Sequence, residues 1–191
     1  MQNSSSLLIV IGLLGFAISS TLQADDKNKP KYEVKIETIK AQPTMTIRFR
    51  ARHDELSKKY GEVFGKLFGY VTSKGGEFSG APFGRYHSMT EEEVEVEAGL
   101  PVAKVIEGKG EIKASELPGG KVATTIHLGP YEKLGEAHEA IQAWASKNGH
   151  KPSGGVWEYY LTDPGKEPDQ SKWQTKLYLP IAEKDASKSK Q

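Results

Sequence analysis

A carboxylate set among aromatic side chains is the arrangement in this chain that most invites chemistry. The run Gly154-Gly155-Val156-Trp157-Glu158-Tyr159-Tyr160 is short, led by glycine and rich in rings. Read as a strand, it puts Glu158 and Tyr160 on one face and Trp157 and Tyr159 on the other. A carboxylate among rings loses hydration, so a cation or hydrogen bonds must support its charged form. A bound cation would also meet aromatic faces, an attraction of about 0.5 to 2 kcal/mol. Glu158 is therefore the candidate anchor of a binding site, with Tyr160 beside it. The alternative use of the same carboxylate is an ion pair within the sheet, for example with Arg85. Trp157 and Tyr159, on the other face, are expected to pack under helices.

The elements that position this acid form a repeat. In the second half a strand-like run Val122 to Leu128 ends at Gly129-Pro130-Tyr131, a helix-like stretch follows, and the glutamate strand comes next. In the first half Thr44 to Arg50 leads to a helix-like stretch from Asp54, and then to Gly80-Ala81-Pro82-Phe83-Gly84-Arg85-Tyr86. Superposing the two glycine-led strands sets Phe83 against Trp157, Gly84 against Glu158 and Tyr86 against Tyr160. A duplicated unit folds most simply about a pseudo-two-fold axis, which leaves a groove shared by the halves. The acid then stands on one side of that groove only. Tyr131, at the start of the second helix, and Tyr86, the mate of Tyr160, complete the candidate wall, rings for apolar area and hydroxyls for orientation.

Each half reads as strand, helix, strand, strand. Met45, Ile47 and Phe49 alternate with Thr46, Arg48 and Arg50, a half-buried strand. Leu56, Tyr60, Val63, Phe64, Leu67 and Val71 recur at helical spacing after Asp54, a possible cap, and Gly75-Gly76 closes that helix. Leu134, Ala137, Ile141, Trp144 and Ala145 mark a second helix ending near Asn148-Gly149. Phe83 to Ser88, Val94 to Ala98, Val156 to Leu161 and Thr175 to Leu179 complete the strands, with Tyr32 to Ile39 one more near the start. Two β-α-β-β units predict an α+β fold: a mainly antiparallel sheet, two long helices on one face, and a groove between the halves. The strand with Glu93, Glu95 and Glu97 reads as an edge or solvent-facing strand. Arg48, Arg50 and Arg52 read as a solvated stripe that an anionic ligand or lipid headgroup could use.

Composition excludes several classes of function. The 26 basic and 25 acidic side chains leave a net charge of +1, which gives no electrostatic case for nucleic acid or an anionic membrane surface. Cys is absent, so there is no thiol catalysis, thiolate metal site or disulfide. His53, His87, His127, His138 and His150 show no tight ligand spacing, and the glycine pairs lack the Lys-Ser/Thr of a phosphate loop. No metal and no cofactor are called for. Residues 1–24 carry no charged side chain, and Leu7 to Ile18 is almost wholly apolar. That length suits the core of a secretory signal and falls short of the roughly 20 residues that span a bilayer. The expectation is a signal peptide or N-terminal anchor over 1–24, a polar linker over 25–31, one domain over 32–181 and a disordered tail over 182–191. An exported, periplasmic or extracellular protein follows, or one held to the membrane through the N-terminal segment if that segment is retained.

Three tracts carry a family resemblance. Gly129-Pro130-Tyr131-Glu132-Lys133-Leu134, Trp157-Glu158-Tyr159-Tyr160-Leu161-Thr162-Asp163-Pro164 and Trp173-Gln174-Thr175-Lys176-Leu177-Tyr178-Leu179-Pro180 resemble the GyrI-like small-molecule-binding domain. The same domain serves as the effector-binding part of AraC-type and MerR-type transcription activators. The resemblance covers roughly Tyr32 to Ile181. It implies a duplicated fold whose groove binds amphipathic, often cationic molecules, with a glutamate in the penultimate strand as polar anchor; Glu158 occupies that position. No stretch here reads as a helix-turn-helix. The leading expectation is an extracytoplasmic binding protein for an amphipathic small molecule, with Glu158, Tyr160, Tyr131 and Tyr86 as ligand-binding residues and none of them catalytic. Two alternatives come with the same resemblance. One is a hydrolase that opens reactive cyclopropane rings, with Glu158 as base or water-positioner and Tyr131 or Tyr160 donating a proton. The other is haem binding of the SOUL type.

Overall fold

Two amphipathic helices and a set of alternating strands must bury their apolar faces against each other, and the chain does so with a single curled sheet. The computed structural model describes residues 31–182; the leader segment, the linker before Lys31 and the tail after Ala182 lie outside the described residues. The elements in order are β1 (Lys35–Ile39), β2 (Gln42–Arg52), α1 (Leu56–Ser73), β3 (Phe83–Met89), β4 (Glu93–Pro101), β5 (Lys113–Leu117), β6 (Gly120–Leu128), α2 (Leu134–Lys147), β7 (Trp157–Tyr160) and β8 (Gln174–Pro180). A short 3-10 turn, Tyr131–Lys133, leads into α2. The architecture is α+β, and every strand pair is antiparallel.

Both helices lie on one face. From α1, Val63, Leu67 and Val71 meet Met45, Ile47, Ala98 and Leu100 of the sheet. From α2, Leu134, Ala137, Ile141 and Ala145 meet Ala123, Leu177 and Leu179. Each buried Val, Leu or Ile contributes about 1.5 to 3 kcal/mol of transfer free energy. Asp54 does not cap α1: the helix begins after Glu55 without a side-chain cap, and the Asp54 carboxylate is held 3.2 Å from Arg52 instead. At the other end Gly75 takes φ +65°, and its N–H and that of Gly76 donate to Thr72 and Val71, a left-handed close that glycine makes at little cost.

The strand order is β1-β6-β8-β7-β3-β4-β2-β5, and it reads the same from either end once each strand is exchanged for its counterpart in the other half. The axis passes between β3 and β7, where Gly84 is paired directly with Glu158 and flanked by Phe83–Tyr159 and Arg85–Trp157. The duplication is therefore present in the register as well as in the residues. Each half is longer than the expected β-α-β-β by one leading strand, and that strand is exchanged: β1 pairs with β6 and β5 with β2. The links Lys40-Ala41 and Pro118-Gly119 must then cross between opposite ends of the strand order, which forces the sheet to curl. Glycine at 119 permits the crossing, since a Cβ there would lie 2.6 Å from the Ala41 amide nitrogen.

The curl gives the face away from the helices a core of its own. Phe83, Leu117, Val122 and Trp157 cluster there with Ile39, Tyr159 and Tyr178, and Trp157 stacks on Tyr178 at 5.5 Å and 5°. Trp157 and Tyr159 thus do not pack under helices, contrary to the expectation from the sequence. β4 is corrected likewise. It is an interior strand between β3 and β2, and its acids face the arginines of β2 and β3: Arg48–Glu95 at 3.1 Å, Arg50–Glu93 at 3.4 Å and Arg85–Glu97 at 3.4 Å. The arginine stripe of β2 is occupied by these partners. Gly99 of β4 lies flat beneath the Phe83 ring, and a methyl at that position would collide with it. Gly99→Ala is expected to destabilise the fold by about 1 to 3 kcal/mol, read as a lower urea midpoint without a change in m-value.

Candidate functional site

Strand β7 sits beside the pseudo-axis, and its even-numbered side chains point toward the helices. Glu158 is 1% exposed, in the angle where α1 and α2 both overhang the sheet. Three donors reach it. The Tyr160 hydroxyl donates to Oε2 at 2.9 Å, the Tyr86 hydroxyl is directed at the same oxygen at 3.5 Å, and the His138 Nε2–H of α2 donates to Oε1. Arg85, the in-sheet partner considered for Glu158, points to the opposite face and pairs with Glu97. The basic side chain that reaches Glu158 is His138.

Rings enclose this carboxylate. Tyr60 of α1 meets Tyr160 edge-on at 5.6 Å, and Phe64, one turn later, meets it at 6.2 Å. Tyr131 packs against Tyr160 at 5.4 Å and against Trp173 at 4.7 Å. On the other side of the axis His138 meets Tyr86 edge-on at 5.8 Å. Gly84 closes the floor, because any Cβ there would collide with the Tyr60 hydroxyl and lie 2.8 Å from that of Tyr160. The Tyr60 hydroxyl is buried without a hydrogen-bond partner.

All four residues singled out in the sequence come together here. Glu158, Tyr160 and Tyr86 form the polar centre, and Tyr131 stands one ring further out against Tyr160. His138, Tyr60, Phe64 and Trp173 were not picked out as site residues. For His138 a signal did exist, since it falls beside Ala137 and one turn from Leu134 and Ile141, next to the apolar stripe of α2. The other histidines are engaged elsewhere: His127 with Tyr32 and the Pro130 carbonyl, His150 stacked on Trp144, His87 near Glu97 and His53 with the Thr90 carbonyl. Among the described residues no group of three His, Asp or Glu is placed to hold a metal ion, and no helix is long and apolar enough to cross a membrane.

The tyrosines respond to this setting. Burial pushes the phenols of Tyr160, Tyr86 and Tyr60 above the usual value, and the neighbouring charge of Glu158 pushes them further. Tyr131 is raised by burial first, then by Asp163 and Glu158. All stay hydroxyl donors at neutral pH, which suits them to a carboxylate. The effect on stability has a definite sign. A phenol whose folded pKa is raised stabilises fully below its unfolded value of about 10, and that contribution is lost as pH climbs toward the folded value. Urea midpoints are expected to hold up to about pH 10 and to fall above it, each retained proton costing about 1.4 kcal/mol per pH unit. Tyr160→Phe removes one such group and makes the fall shallower; absorbance of tyrosinate during unfolding checks the assignment.

Comparison with known proteins identifies the family and the fold. The family model for the GyrI-like small molecule binding domain matches residues 32–182. Among solved structures, the C-terminal domain of EcmrR superposes with TM-score 0.68 at 22% identity, covering 80% of this chain and 99% of that one. EcmrR in its DNA complex gives TM-score 0.71 at 22% identity over 78% of this chain, which spans 57% of that longer chain. The structure of SAV2435 bound to tetraphenylphosphonium gives 0.53 at 8% identity, covering 79% of this chain and 94% of that one. A hydrolase from Listeria innocua gives 0.59 at 15% identity, with 81% and 94% covered. No curated protein sequence matches the chain. The structural likenesses are likenesses of fold, while the family model spans nearly all the described residues. The chain belongs to the GyrI-like small-molecule-binding family.

Proposed function

We propose that the chain binds amphipathic cationic small molecules at Glu158, with the rings of Tyr160, Tyr131 and Tyr86 as the wall. The observation that carries this reading is a carboxylate 1% exposed and surrounded by aromatic faces on the helix side of the sheet. Such a group is costly to bury without a counter-charge. A cation placed there would regain the Coulomb attraction in a poorly screened setting and add contacts to ring faces. Tetraphenylphosphonium bound to SAV2435, a protein of similar fold, makes that cation a natural first probe. Entry requires the rings to part, because Tyr160 and Glu158 fill the centre of the site. Tyr131 and Trp173, half-buried at its rim, are the side chains best placed to move.

We propose further that the protein lies outside the cytoplasm, a reading supported by the apolar segment Leu7 to Ile18 and by the absence of charged side chains over residues 1–24. A hydrolytic reading has one observation in its favour. His138 on Glu158 couples a base to a carboxylate within a ring of tyrosine donors, the groups that acid/base chemistry would use. It predicts turnover of a reactive substrate rather than simple retention of a ligand.

Glu158→Gln keeps the shape and removes the charge. It is expected to weaken tetraphenylphosphonium at least tenfold while leaving the fold intact, since charge-assisted contacts are worth about 1.5 to 3 kcal/mol. Isothermal titration of the domain from Lys31 onward reads this directly, and unchanged affinity removes Glu158 from the site. For location, the N-terminal sequence of protein made with its leader should begin at Asp25 in the exported fraction.

A further inference from the structure

The pseudo-axis relates the helices as well as the strands. Setting Val63, Leu67 and Val71 against Ala137, Ile141 and Ala145, the buried positions of α1 and α2, brings Gly75 and Gly149, both at positive φ, into register and sets Phe64 against His138. Their surroundings match. Phe64 meets Tyr160 edge-on at 6.2 Å and 74°, and His138 meets Tyr86 edge-on at 5.8 Å and 85°. One difference separates the halves. Phe64 is an apolar ring in the half that carries Gly84 opposite Glu158, whereas His138 lies over Glu158 and donates a ring N–H to it. In the half that carries the acid, the helix supplies a planar nitrogen heterocycle to cover it.

We propose that His138 is the internal stand-in for the ligand, and that Glu158 takes planar aromatic cations bearing N–H groups in its place. This inference rests on the reading of Glu158 as a cation anchor and narrows it. The site already holds a flat ring with an N–H aimed at Oε1, while Oε2 keeps its two tyrosine hydroxyls. A ligand that replaces the ring must satisfy one oxygen, not two. It must also be thin. Gly84 and the hydroxyls of Tyr60 and Tyr160 leave no room beneath, and Tyr86 stands edge-on at the side. An amidinium or a protonated aminoheterocycle meets both conditions: it is planar, charged and a donor. A tetrahedral onium ion carries the charge without the N–H or the flatness. His138 thereby sets specificity, since every ligand competes with it, and groups of its own shape displace it at least cost.

The test removes the stand-in and offers a substitute. His138→Ala leaves a space of ring size against Glu158, and benzamidine is the probe, read by thermal shift and isothermal titration. Benzamidine is expected to bind His138→Ala at least tenfold more tightly than wild type, and this gain should vanish in His138→Ala combined with Glu158→Gln. No gain in the single variant, or an equal gain in the double variant, overturns the proposal. If the alanine variant does not fold, the wild type still decides. With nitrogen-labelled histidine, the His138 Nε2 proton bonded to Glu158 should lose its low-field signal as benzamidine saturates the protein, and a retained signal counts against displacement. Tetraphenylphosphonium separates the two levels of the argument. If it binds wild type through Glu158 while benzamidine gains nothing from His138→Ala, the anchor stands and this inference falls. If neither cation senses Glu158→Gln, both fall.

Discussion

The constraint on which the site depends is the cost of keeping the Glu158 carboxylate out of water. Burying an ionised carboxylate is tolerable only if its oxygens are met by donors or by opposite charge. Here two tyrosine hydroxyls share one oxygen and an imidazole N–H takes the other. The donors come from three elements, β3, β7 and α2, so the carboxylate ties both halves of the molecule together at their seam. None of the three is a Lys or Arg, whose long side chain and fixed charge would bind the acid to the protein alone. Two hydroxyls and a histidine hold it instead.

Duplication explains how such a site arises. A pseudo-two-fold axis brings equivalent residues of the two halves together, as Tyr86 and Tyr160 show, both directed at one carboxylate oxygen. A symmetric pair of glutamates on that axis would repel each other in a poorly screened setting. The chain avoids this with Gly84 opposite Glu158, and Tyr60 fills the space the missing side chain leaves. The asymmetry of the proposed site is thus one difference at the axis, Gly84 against Glu158, with Tyr60 of the overlying helix beside the glycine.

The rest of the sheet isolates the site. Its curl buries Trp157 and Phe83 behind β7, with Tyr178 partly buried against them, so the strand carrying Glu158 is packed on both faces. The arginines and glutamates of β2, β3 and β4 compensate one another on that far face. Their charges are paired locally and do not compete for the carboxylate on the helix side. A floor packed on both faces, with half-buried rings at the rim, suits the proposed opening to ligands.

Much was legible in the sequence because it follows from local rules. Alternation placed Glu158 and Tyr160 together on one face, helical spacing found both helices, and the internal repeat set Gly84 against Glu158 before any coordinates showed them paired. What local periodicity cannot report is which distant surfaces meet. The exchange of β1 and β5 between the halves, the curl it imposes and the second core around Trp157 depend on pairings between residues far apart in the chain. His138 belongs to the same class. Its neighbours in sequence mark it only as a polar residue beside an apolar stripe, and its role comes from the register of α2 over β7. The chain by itself pointed to the residues proposed to hold a cation. The tertiary structure decided that one of its own histidines already covers the acid, because only packing across the pseudo-axis brings that ring to that carboxylate.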